Sequence, residues 1–140
     1  MSELQHFSPQ GVASPRATYS HAVRSGEILW LAGQVSIDRS GETVAPGDVE
    51  AQTRQVVRNI GAILEACGAS FATVVRFTAY VVGRENVEGF RAARSEPWRE
   101  LYPTGAYPTS TLLVVSGLAS DEFLVEIETT AVVSDPGGAP

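Results

Sequence analysis

The sequence predicts an α+β domain built on one sheet, with two helices lying together on one of its faces. Three observations carry this expectation. The elements read in the order β-β-α-β-α-β-β. Two helices are too few to cover both faces of a sheet of five or more strands, so they should share one. The last strand-like run, Phe123 to Ala131, alternates Val125 and Ile127 with Glu126 and Glu128. Residues two apart in a strand point the same way, so this strand has an apolar side and an acidic side.

Each element has a local cause. Residues 1–17 show no periodicity and read as an irregular arm. Tyr19 to Arg24 and Ile28 to Gly33 are extended runs, and Ser25-Gly26-Glu27 between them predicts a hairpin. Asp38 to Gly47 is polar and rich in turn formers, which predicts a surface loop. Asp48 is the expected N-cap of a helix whose stripe is Val49, Thr53, Val56, Ile60, Ile63 or Leu64, and Cys67. Gln52, Arg54, Gln55, Arg58 and Glu65 fall on its other side, and Gly68 fits the position just past its end. Thr73 to Gly83 alternates as a strand. A second helix is expected from about Val87 to Leu101, with a kink or restart at Pro97, which removes a backbone donor. Tyr107 to Val115 and Phe123 to Ala131 then read as two strands facing each other across a short polar loop. Residues 134–140 form a Gly/Pro tail expected to fray.

The helices are expected to cover Val75, Phe77, Val125 and Ile127. The other face should carry Arg76, Thr78, Tyr80, Leu124, Glu126 and Glu128. It is too apolar in part to be left to water, so a homo-oligomer is expected.

Composition narrows the chemistry. The 140 residues suit one domain. The ten basic residues are all arginine. Without lysine there is no Schiff-base catalysis and no Walker A phosphate loop. A formal charge of −6 argues against a nucleic-acid binder. One cysteine, Cys67, and two distant histidines, His6 and His21, make neither a disulfide nor a metal cage, so no metal or other cofactor is expected. No apolar run reaches membrane length and the N-terminus does not read as a secretory signal, which points to the cytoplasm and no membrane partner.

Four segments in register are similar to a known family: Tyr19-Ser20-His21-Ala22-Val23, Leu31-Ala32-Gly33-Gln34-Val35, Gln52-Thr53-Arg54-Gln55 leading into Asn59-Ile60, and Val125-Glu126-Ile127-Glu128. Over roughly Thr18 to Val133, treated as one domain over 18–133, the chain resembles the reactive intermediate deaminase family, also called RidA or YjgF. The resemblance implies a chorismate-mutase-like fold with one mixed sheet, a homotrimer, and pockets in the clefts between subunits. It implies hydrolytic deamination of small imines or enamines, an arginine gripping the substrate carboxylate and a glutamate orienting water. That glutamate falls on Glu126 and the pocket tyrosine on Tyr19. The Ser-Gly-Gln backbone segment falls on Ala32-Gly33-Gln34. The arginine of the Pro-x-Arg-Ser segment is replaced: the segment reads Pro108-Thr109-Ser110-Thr111, with Ser110 at its place. An asparagine of the second helix falls on Arg91. Exchanging a bidentate guanidinium for one hydroxyl costs about 2–4 kcal/mol of carboxylate binding, roughly 30- to 1000-fold.

Each candidate has a structural alternative. Glu126 could place a hydrolytic water or pair with Arg76; Glu128 reads as structural. Tyr19 could cap a pocket or pack at a subunit edge. Gly33 marks a close approach to a ligand or to another chain. Thr109, Ser110, Thr111 and Leu112 could hold a ligand through hydroxyls and backbone N–H groups, or be ordinary strand residues. Arg91 and Arg94 could supply the missing cation or be solvated charges. The expected activity is deamination of a small imine or enamine in an inter-subunit cleft. The alternative is a non-catalytic trimeric small-molecule-binding or accessory protein using the same cleft.

Overall fold

The computed structural model describes residues 3–134; of the tail expected at 134–140, residues 135–140 lie outside them. Six strands form one mixed sheet: β1 (Gln5–Phe7), β2 (Ala22–Ser25), β3 (Ile28–Gln34), β4 (Val74–Val82), β5 (Thr109–Val115) and β6 (Val125–Val132). Their order across the sheet is β1-β2-β3-β6-β4-β5. Helices α1 (Val49–Ala66) and α2 (Val87–Leu101) pack against each other. Among the described residues no helix is long and apolar enough to cross a membrane.

The hairpin forms as expected, with β2 antiparallel to β3 and Gly26 at φ 59° in its turn. Asp48 caps α1 by accepting from Ala51 N–H at 3.0 Å, and Gly68 follows the helix at φ 76°. The expected stripe is buried: Val56, Ile60, Ile63 and Leu64 are fully enclosed, facing Leu29, Val81, Val125 and Ile127 of the sheet. Burying each such side chain stabilises by about 1.5–3 kcal/mol.

Five expectations are corrected. The last two strands do not pair with each other. β4 lies between them, parallel to β5 and antiparallel to β6. The arm is not wholly irregular, because β1 extends the sheet by pairing with β2. Val75 does not face the helices. A register shift between Val74 and Arg76 turns Val74 inward and leaves Val75 46% exposed, as expected where a bulge inserts one residue. Leu124, assigned to the open face, packs partly against the core. Gln52 is fully buried rather than on the polar side of α1. Its Nε2 donates to Ala45 O at 3.1 Å and Glu122 O at 2.8 Å, and its Oε1 accepts from Leu124 N–H at 2.9 Å.

α2 runs unbroken through Pro97. An aromatic group pins its C-terminal half. Trp98 lies 5.0 Å from Phe77 and 6.1 Å from Tyr102, centroid to centroid. Tyr102 donates to Phe71 O at 2.8 Å, and burial pushes its phenol up to about 12. The face away from the helices keeps Ile28, Trp30, Leu113 and Val132 exposed.

Candidate functional site

The candidate residues fall into two groups. The first surrounds Gly33. Between Leu31 and Gln34, β3 has one residue more than the β6 segment it pairs with. This bulge carries Ala32 and Gly33 past Glu126. A Cβ on Gly33 would overlap Glu126 Oε1 and lie 2.8 Å from its Cδ, so only glycine lets this carboxylate lie against the strand. Its backbone is not left-handed; the requirement is close approach.

Glu126 is half-buried and pairs across the sheet with Tyr80. Burial pushes its carboxyl above the ordinary 4.5, and the charge of Glu128 adds to the push. Glu128 is held by the Tyr80 hydroxyl, which donates to it. That bond, with burial and the two carboxylate charges, raises the Tyr80 phenol. Arg76 pairs with Thr130, two residues beyond Glu128. Among the described residues the ion pairs are Arg54–Glu50 and Arg91–Glu88, so Glu126 has none with Arg76.

The raised carboxyl has a signed consequence. The folded chain holds this proton more tightly than the unfolded chain does. The stability it contributes is whole below pH 4.5 and is lost as pH rises through the raised value. Glu126→Gln should remove that loss. Thermal unfolding across the weakly acidic range should show the variant gaining on the parent as pH rises; parallel curves would count against this environment for Glu126.

Behind Gly33 is a cavity of about 30 Å³, bordered by Val12, Ser14, Tyr19, His21, Gln34 and Asn59 among others, with room for a water. Tyr19 is 49% exposed at its edge and meets His21 edge to face at 6.1 Å. Sequence reasoning gave His21 little weight and passed over Gln34 and Asn59 as site-building residues. His21 Nε2–H donates to Ala13 O at 2.6 Å, and its Nδ1 accepts from Gln34 Nε2 at 3.4 Å, which assigns the tautomer. Asn59 donates to Val35 O and Ile37 O at 3.1 and 2.9 Å. The arm and the chain leaving β3 are thereby fastened around Gly33. The available signal was positional: these polar residues occupy the same segments as the family resemblance.

The second group lies at β5, two strands from β6. Alternation divides it. Ser110 and Leu112 sit beside Phe77 and Ala79 on the helix side, whereas Thr109 and Thr111 sit beside Arg76 and Thr78 on the open side. Leu112 packs against the core, and Thr109 Oγ1 donates to Val75 O at 2.9 Å. Ser110 Oγ accepts from Arg94 at 3.3 Å. Arg91 is solvated and pairs with Glu88 at 3.6 Å, a contact of little energetic weight. Tyr19, Gly33 and Glu126 are thus gathered at one place, and Ser110 with Arg94 at another, on the opposite face of the sheet from Glu126.

Comparison with known proteins agrees with this architecture. The family model described as endoribonuclease L-PSP matches residues 11–133. A RutC family protein of Pyrococcus horikoshii is 36% identical over 122 residues, 87% of this chain and 92% of that protein. One of Synechocystis is 30% identical over 121 residues, 86% and 89% of the two chains. Among solved structures, the Rid family protein YyfA of Yersinia pestis superposes with a TM-score of 0.83 at 28% identity, covering 94% of this chain and all of that one. E. coli YjgF gives 0.82 at 26%, covering 91% and 98%. With its sequence matched over nearly the whole domain and its sheet and helices matched in order, the chain belongs to the endoribonuclease L-PSP family, the group of RutC, YjgF and Rid proteins.

Proposed function

We propose that this protein hydrolyses a small imine or enamine metabolite to a carbonyl compound and ammonia, in a cleft completed by a neighbouring copy in a homotrimer. The observation that carries the reading is Glu126: a half-buried carboxylate, its proton affinity raised by burial and by Glu128, set against a glycine that has no room for a side chain. The exposed Ile28, Trp30, Leu113 and Val132 on the same face favour a second copy covering it. The separation of Ser110 from Glu126 within one chain fits a site assembled from two chains.

In this mechanism the substrate reacts as the N-protonated imine, which an enamine becomes by taking a proton at carbon, and the Glu126 carboxylate accepts a proton from water as the water oxygen adds to the C=N carbon. The carbinolamine that forms then collapses. Glu126 returns the proton to nitrogen, the C–N bond breaks as the carbinolamine hydroxyl gives its own proton to the Glu126 carboxylate, and ammonia leaves the carbonyl compound behind. A carboxyl held above its ordinary range suits both directions of transfer. Tyr19 shapes the pocket mouth, and the Gly33 bulge sets the carboxylate's aim.

Ammonia release from freshly generated amino-acid imines, measured beside the oligomer's mass in solution, tests the reading. Turnover by a trimer supports it; a monomer with Glu126 open to water would remove the cleft. Gly33→Ala is a sharper probe. The methyl group should swing the flexible Glu126 side chain aside with little change in unfolding midpoint, yet lower turnover by about 100-fold. Unchanged turnover would show that the aim of Glu126 does not matter.

Ser110 favours a second reading. With serine where the family places its carboxylate-gripping arginine, the same cleft could bind a metabolite without chemistry. Ligand-induced stabilisation with no turnover of any imine is the result that would select it.

A further inference from the structure

The groove between α2 and the start of β5 is chemically unlike the rest of the molecule. Its volume is about 390 Å³, and Arg94, Arg99, Trp98, Tyr107, Ser95 and Ser110 line it, joined by Pro108. None of these is acidic, in a chain with 16 acidic residues and a net charge of −6. The neighbouring groove between the two helices, by contrast, is lined by Glu50, Glu96 and Glu100 as well as arginines.

Arg94 is the unusual member. Its guanidinium stacks 5.2 Å from the centre of Phe90 and 5.9 Å from that of Trp98. Stacking uses the planar face and leaves the N–H edges available. Among the described residues the one acceptor for those N–H groups is Ser110 Oγ, and neither Arg94 nor Arg99 has a carboxylate partner. Burial and the nearby Arg91 charge both disfavour the Arg94 cation. A bound anion would relieve both. Its platform is firm, because Trp98 is itself locked between Phe77 and Tyr102. Arg99 lies five residues further along α2, about 7.5 Å along the axis, and provides a second cation at the same groove.

We propose that this groove binds a small dicarboxylate, one carboxylate held by Arg94 with Ser110 and the other by Arg99. The helix then supplies the anion contact that the serine on β5 cannot make alone, and the second arginine selects for a second negative group. The proposal names the ligand class for the β5 side of the proposed cleft. It rests on that reading only for the chemistry that follows binding.

Binding is therefore tested apart from turnover. Succinate and acetate are titrated into the full-length protein at constant ionic strength, with thermal shift and NMR as readouts. Succinate should bind and acetate should bind at least tenfold more weakly. Arg94→Gln should weaken succinate at least tenfold. Arg99→Gln should weaken succinate several-fold and leave acetate unchanged. Arg94→Lys, which keeps the charge but loses the fork, should recover part of the affinity and covers the case in which the glutamine variant folds poorly. Absence of succinate binding, equal affinity for the two acids, or succinate binding indifferent to Arg94 and Arg99 would each overturn the proposal. If imine turnover is absent but succinate still depends on Arg94, the hydrolysis reading falls and the groove assignment stands.

Discussion

Glu126→Gln should lower imine hydrolysis by about 10²–10⁴-fold, the range of a lost general acid–base group, with the fold intact. Glutamine keeps the volume against Gly33 and can still hydrogen-bond, but it cannot take a proton from water. Neighbouring Glu128 is a poor substitute because the Tyr80 hydroxyl already engages it. Steady-state ammonia release by parent and variant, with unfolding midpoints recorded for both, checks the expectation. Equal rates in two well-folded proteins would end the role assigned to Glu126, and with it the hydrolytic mechanism.

Gln52→Leu should produce the largest loss of stability among single polar substitutions in the core. The leucine fills most of the space but leaves Ala45 O, Glu122 O and Leu124 N–H without their partner. A buried polar group stripped of its bond costs about 1–3 kcal/mol. Because the three groups share one side chain, their losses do not simply add, and a total of about 3–5 kcal/mol is expected. The unfolding midpoint should fall on the order of 10 °C. The effect should also reach the site, since Leu124 leads directly into β6 and Glu126. A midpoint within a degree or two of the parent would mean that water or rearranged backbone satisfies these groups.

Much of the fold was legible because its signals are local. The stripe on α1, the Asp48 cap, the β2–β3 hairpin and the alternation along β6 each arise within one element. The last of these placed Glu126 and Glu128 together, away from Val125 and Ile127. Gln52 was misassigned because its polarity matched the solvent side, whereas its partners are a loop just ahead of α1 and the approach to β6 some 70 residues on. Val75 was misassigned because strict alternation has no place for a bulge.

The sequence by itself determined which residues share a face, where the helices begin and end, and that serine stands at position 110 in a chain without lysine. Only the tertiary structure decided that β4 separates β5 from β6, that a bulge brings Gly33 against Glu126, and that Arg94 reaches Ser110. The reason is one of range. Periodicity and capping involve neighbours a few residues apart, whereas strand order, register shifts and helix-to-strand contacts are settled by competition among distant segments for the same core.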